Sequence, residues 1–160
     1  MTATNVEWLV SAQRPNVFRA LLDARSVRTW MVPDGMTSRI HEFDARVGGK
    51  FRISLTYDVP NGAGKTSAHT DTFHGRFARL VPNSEVVQTV EFETEDPDLQ
   101  GEMTISYTLA DVPGGTKIVA RHDNLPPGLS AQDNEVGFRM ALAKLAALAE
   151  RWAAANPESD

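Results

Sequence analysis

The chain has 160 residues, 41% hydrophobic and 23% charged, a balance that excludes collagen, a disulfide scaffold and a wholly disordered chain. It has no cysteine, which removes zinc fingers, iron–sulfur clusters, thiol nucleophiles and thiol redox chemistry. With 16 Lys and Arg against 21 Asp and Glu the net charge is −5, which argues against a nucleic-acid partner and against docking on acidic membranes. The length suits one domain spanning residues 1–160. No run approaches the roughly 18 apolar residues of a membrane span. Met1 to Val10 lacks the basic and then apolar pattern of a signal peptide, so the expected compartment is the cytoplasm.

Asn5 to Val10 is β-prone. Pro15 then suits a first helical turn, and Val17, Phe18, Leu21 and Leu22 follow at helical spacing to about Ala24. A second short helix or turn carries Val27, Trp30 and Met31, and Pro33-Asp34-Gly35 stops it. From Met36 the period becomes two. Thr37 to Phe43 reads as a strand and Val47-Gly48-Gly49-Lys50 as a turn. Phe51, Ile53, Leu55 and Tyr57 then alternate with polar residues as a half-buried strand. Pro60 to Gly64 is a loop, and His69 to Leu80 a strand in which Gly75 marks a possible bulge. Glu85 to Glu93, Gly101 to Leu109 and Thr116 to His122 complete the strands. Ser130 caps a last helix, Ala131 to Ala155, with Asp133 in a capping-box-like place. Phe138, Ala141, Leu142, Leu145, Leu148, Ala149 and Trp152 form its apolar stripe. Asn156 to Asp160 reads as a frayed tail.

Consecutive strands joined by short turns make an antiparallel sheet, and its apolar face needs a cover. The long helix is the element large enough. A curved sheet around one helix follows, with a cavity between them.

Several local motifs fall in the order of a known family. They are Val17 to Leu21, Val27-Arg28-Thr29-Trp30, Phe43 to Phe51, His74-Gly75-Arg76-Phe77, and Pro82 before a strand ending near Phe92. Gly114 to Ile118, His122 and the Gly137 to Leu148 helix complete the set. With these the chain resembles a START-like, helix-grip domain of the SRPBCC superfamily, and more narrowly the family related to activator of heat-shock protein 90 ATPase. The resemblance implies an α+β fold: a curved antiparallel sheet wrapped around a long C-terminal helix, with two short helices after the first strand. It also implies one of three roles: holding an apolar ligand, acting as a cyclase or related enzyme, or binding a chaperone. Val90 and Phe138 stand where the family often has tryptophan, which reshapes the pocket.

The candidate chemistry is sparse. Gly64-Lys65-Thr66 mimics the end of a phosphate loop, but Val59 stands where the motif needs glycine. His41, His69, His74 and His122 fit no metal-ligand spacing, so no metal and no cofactor are expected. His69 and His74 read as surface residues. His122 shares parity with Ile118 and Ala120; it is either a satisfied core or rim histidine or a ligand contact able to transfer a proton. Gln88 shares parity with Val86, Val90 and Phe92, and Tyr57 and Tyr107 lie on apolar strand faces. Phe51, Phe73, Phe77, Met103 and Ile105 are core, or pocket lining if the helix stands off the sheet. Trp30 and Met31 sit where they can close one mouth. Met140 and Lys144 fall beside the apolar stripe, with Lys144 either snorkelling or pairing with a ligand carboxylate. Glu91, Glu93 and Glu95 read as a solvated sheet face.

The leading expectation is a non-catalytic or weakly catalytic domain for a small, mainly apolar ligand. Its expected lining is Trp30, Phe51, Tyr57, Phe73, Gln88, Met103, Tyr107 and His122. The alternatives are a chaperone-associated protein and a cyclase- or hydratase-like enzyme using His122, Tyr107 or Gln88. No catalytic residue is assigned, and the expected assembly is a monomer or homodimer.

Overall fold

Alternating apolar and polar residues build seven strands, and one capped amphipathic helix closes over them. The computed structural model describes residues 2–58 and 70–155. The Pro60 to Gly64 loop, the Gly64-Lys65-Thr66 motif, His69 and the expected tail lie outside the described residues. The order is β1 (Thr2–Val10), α1 (Arg14–Leu22), α2 (Ala24–Trp30), β2 (Met36–Phe43), β3 (Lys50–Tyr57), β4 (Thr70–Val81), β5 (Glu85–Phe92), β6 (Met103–Val112), β7 (Gly115–Leu125) and α3 (Ala131–Ala155). All strand pairs are antiparallel, in the order β1-β7-β6-β5-β4-β3-β2. Strands from β2 to β7 pair with their chain neighbours. β1 pairs instead with β7, because α1 and α2 carry the chain to the opposite edge. The result is the expected helix-grip α+β fold, a curled half-barrel with a long C-terminal helix.

Local chemistry explains the helices. Pro15 starts α1. The Asp23 carboxylate caps α2, accepting from the Ser26 amide at 3.2 Å and the Ser26 hydroxyl at 2.7 Å. The Trp30 indole N–H donates to the Ala20 carbonyl at 2.8 Å and ties the two short helices together. Ser130 accepts from the Asp133 amide at 3.2 Å and caps α3. Ala141, Leu142, Leu145, Ala146 and Ala149 are the buried part of the α3 stripe, while Phe138, Leu148 and Trp152 are half-buried. Arg19 of α1 lies 4.2 Å over the Trp152 ring and covers its outer side. α3 approaches β1, α1 and α2 most closely. No helix among the described residues is long and apolar enough to cross a membrane.

The strand bounds shift at several ends: β1 begins at Thr2, β6 runs from Met103 to Val112, and β7 continues to Leu125. Gly75 is not the bulge. The register slips between Phe77 and Arg79, and Gly75 stays in register between Phe51 and Val90. Glycine is required there for a different reason: an added Cβ would run into the Thr89 carbonyl oxygen and come within 2.8 Å of the Phe51 ring. A second slip, between Ile40 and Glu42, lies on the edge strand β2, where bulges are common.

Candidate functional site

The concave face of the sheet is built from cross-strand rows. One row runs Ile40–Ile53–Phe73–Phe92, and the next Phe43–Phe51–Gly75–Val90–Met103. The third runs Phe77–Gln88–Ile105–His122–Thr4, and the fourth Val86–Tyr107–Ala120–Val6. All eight residues expected to line a ligand site belong to this face or, for Trp30, to the helix above it. Their burial divides them. Trp30, Phe51, Met103 and Tyr107 are at most 2% exposed, so on this face they are packed against their neighbours. Gln88 and His122 are also buried, whereas Tyr57 and Phe73 are half-buried. The face therefore grades from sealed, at the Tyr107 row, to the first row, where Ile40, Phe73 and Phe92 are half-buried around a buried Ile53. The three steps from the Ile40 row to the Tyr107 row cover roughly 20 Å along the strands.

His122 is held by its neighbours. Asn134 of α3 donates to its Nδ1 at 3.0 Å, which leaves the proton on Nε2, 3.2 Å from the Met103 sulfur. The Asn134 amide also donates to the Thr4 hydroxyl at 3.1 Å. Phe138 meets the imidazole edge to face at 5.3 Å. Burial lowers the His122 pKa to about 4, against a smaller opposing pull from Asp123. The ring is thus neutral near pH 7 with both nitrogens engaged.

Tyr107 differs. Its hydroxyl is buried and has no hydrogen-bond partner. Trp30 packs against the ring edge to face at 6.1 Å. Burial alone raises the pKa of this phenol, so it stays protonated and able to donate. The Ser38 hydroxyl of β2 is likewise buried without a partner.

Lys144 is half-buried, with its ammonium beside the exposed Asp34. Its ammonium donates to the Val32 carbonyl at 2.6 Å and pairs with Asp34 at 3.0 Å, fastening the α2–β2 connection onto α3.

The convex face carries a cross-strand charge network that spacing alone did not reveal. Arg52 grips Glu93 in a two-pronged contact at 2.8 and 2.9 Å. His74 places Nδ1 3.0 Å from Glu93 and Nε2 3.1 Å from Glu91. The Arg52 hydrogen bond is the main cause holding the Glu93 carboxyl below its usual range. These residues border an open groove of about 420 Å³ together with Lys50, Arg76, Glu42 and Glu102. Opposite charges alternate across it, and no cluster of three or more His, Asp or Glu among the described residues can hold a metal ion.

The model of the family described as Activator of Hsp90 ATPase homolog 1-like protein matches residues 11–150. A search of curated proteins finds no match. The fold is similar to that of protein CV1439 from Chromobacterium violaceum, at 28% identity and a TM-score of 0.83, covering 92% of this chain and 96% of that one. It is also similar to the AHSA1 protein SPO3351 from Silicibacter pomeroyi, at 17% identity and a TM-score of 0.74, covering 91% and 96%. A third is the AHSA1-like protein from Aeromonas hydrophila, at 17% identity and a TM-score of 0.67, covering 94% and 93%.

Proposed function

The chain belongs to the Activator of Hsp90 ATPase homolog 1-like family, and from that premise we propose that it binds a small, mainly apolar molecule on the concave face of its sheet. One observation carries this reading: an apolar face, half-buried at one end, holds a buried Tyr107 hydroxyl with no partner. An unmet buried donor costs about 1–3 kcal/mol, and a bound oxygen atom removes that cost. Tyr57 and Phe73, with Leu55 and Phe92, form the outer walls of the proposed site. Phe51, Met103 and Gln88 follow inward, and Trp30, Tyr107 and His122 close its far end. A ligand that reaches Tyr107 parts side chains that pack together in this structure. Binding is favoured over catalysis because His122 is neutral with both ring nitrogens engaged.

The test is native mass spectrometry of the protein purified from its own host, with extraction and identification of what co-purifies. A stoichiometric small molecule of low polarity supports the reading. A protein that stays empty there and takes up no apolar probe overturns it.

The family description favours a second reading, a partnership with an Hsp90-type chaperone. It predicts co-purification of that chaperone and a change in its ATPase rate when this protein is added. Absence of both effects removes it.

A further inference from the structure

The charges around the concave face are distributed unevenly. Along all seven strands its inward positions carry two carboxylates, the buried Asp71 and, at the exposed end of β6, Asp111, with one imidazole, His122, and two phenols, Tyr57 and Tyr107. They carry no lysine or arginine among the described residues. The strand cations Arg39, Lys50, Arg52, Arg76, Arg79, Lys117 and Arg121 have the opposite parity and face outward.

Among the described residues, the helices above supply no free cation to this face either. Lys144 is engaged by the Val32 carbonyl and Asp34. Arg14 is turned to Asp111 and the Asn83 carbonyl, and Arg19 lies on Trp152. Arg25 and Arg28 of α2 and Arg151 of α3 are exposed, and Arg139 of α3 pairs with Glu135. His122 is closed to a ligand by Asn134 on one nitrogen and Met103 on the other. Among the described residues, the buried hydroxyls on this face with no hydrogen-bond partner are that of Tyr107, deep in it, and that of Ser38, on the edge strand β2.

We infer that this face selects an uncharged apolar molecule bearing one acceptor oxygen, a hydroxyl, ether or carbonyl, for the Tyr107 hydroxyl, and rejects the carboxylate of the same length. The inference rests on the binding-domain reading above and names its ligand class. The physical reason is an asymmetry of desolvation. A neutral oxygen leaves water at modest cost and gains a hydrogen bond from a donor that otherwise has none. A carboxylate leaves a far stronger hydration shell and meets no cation among the described residues, so it is excluded or forced to take up a proton.

The experiment is a calorimetric titration of the full chain with paired probes: straight-chain primary alcohols of eight to fourteen carbons, and the carboxylates of the same lengths, at neutral pH. The expected result is saturable alcohol binding, with the matched carboxylate weaker by roughly a hundredfold or more. Tyr107→Phe is expected to weaken the alcohol roughly tenfold, while its melting temperature stays equal to the parent's or rises. Carboxylates binding as tightly as alcohols, or alcohol affinity unchanged in Tyr107→Phe, overturns the inference and leaves the binding reading standing. Failure of both series at every length overturns the reading and the inference together.

Discussion

Asn134, one turn into α3, donates to Nδ1 of His122 on β7 at 3.0 Å, and this contact decides how the helix is locked to the sheet. The same amide reaches Thr4 of β1 at 3.1 Å, so one side chain joins the helix to two strands. Replacing Asn134 by Ala leaves His122 Nδ1 buried without its donor. The expected cost is about 1–3 kcal/mol in urea unfolding. A change below about 0.5 kcal/mol would show that the cluster is not a fastening point.

The same cluster makes stability depend on pH. The His122 pKa is lowered from 6.5 to about 4 in the folded protein. The unfolded chain therefore binds the proton first as pH falls. Stability is full above pH 6.5, declines between 6.5 and 4, and levels off below that as far as this group is concerned. The size is about 3 kcal/mol across the window. Carboxylates also titrate near its lower end, so the informative quantity is the difference from His122→Gln, which is expected to flatten the slope between pH 6.5 and 5. Parallel curves for the two proteins would mean that the native ring accepts its proton normally.

Tyr107→Phe removes an unpartnered hydroxyl and nothing else. In ligand-free protein the expected outcome is a gain of about 1 kcal/mol in unfolding free energy. A loss of that size would mean that the hydroxyl has a partner in solution.

Much of this was legible in the sequence because strand parity is a local property. Gln88, Tyr107 and His122 were placed on the inner face from their apolar neighbours alone, and all three are there. What parity cannot show is how tightly the cover sits. Whether Phe51 and Met103 line a space or fill it depends on the distance from the sheet to the packed helices, which no local pattern encodes. The convex network was missed for a related reason. Arg52 and Glu93 lie 41 residues apart and meet only once the registers of β3, β4 and β5 are set. Gly75 carried a true signal, a position intolerant of a side chain, but the sequence could not say whether a bulge or a close carbonyl caused it.

Two glycines separate those causes by experiment. At Gly75 an added Cβ meets the Thr89 backbone, and backbone in the middle of a sheet cannot swing aside. Gly75→Ala is expected to cost more than about 2 kcal/mol, with protection against hydrogen exchange lost first in the β4–β5 amides. At Gly137, on α3, the added Cβ lies an ordinary 3.7 Å from Pro33 Cγ. Gly137→Ala replaces the most flexible residue in a helix with the best helix former, so it is expected to stabilise by up to about 1 kcal/mol. The contact with Pro33 lies in the connection that Lys144 also holds through Val32 and Asp34. Gly137→Ala should therefore slow exchange in that connection, and Lys144→Met should speed it. If Gly137→Ala instead destabilises, the connection already presses on α3, and the fastening by Lys144 works against strain in the α2–β2 segment.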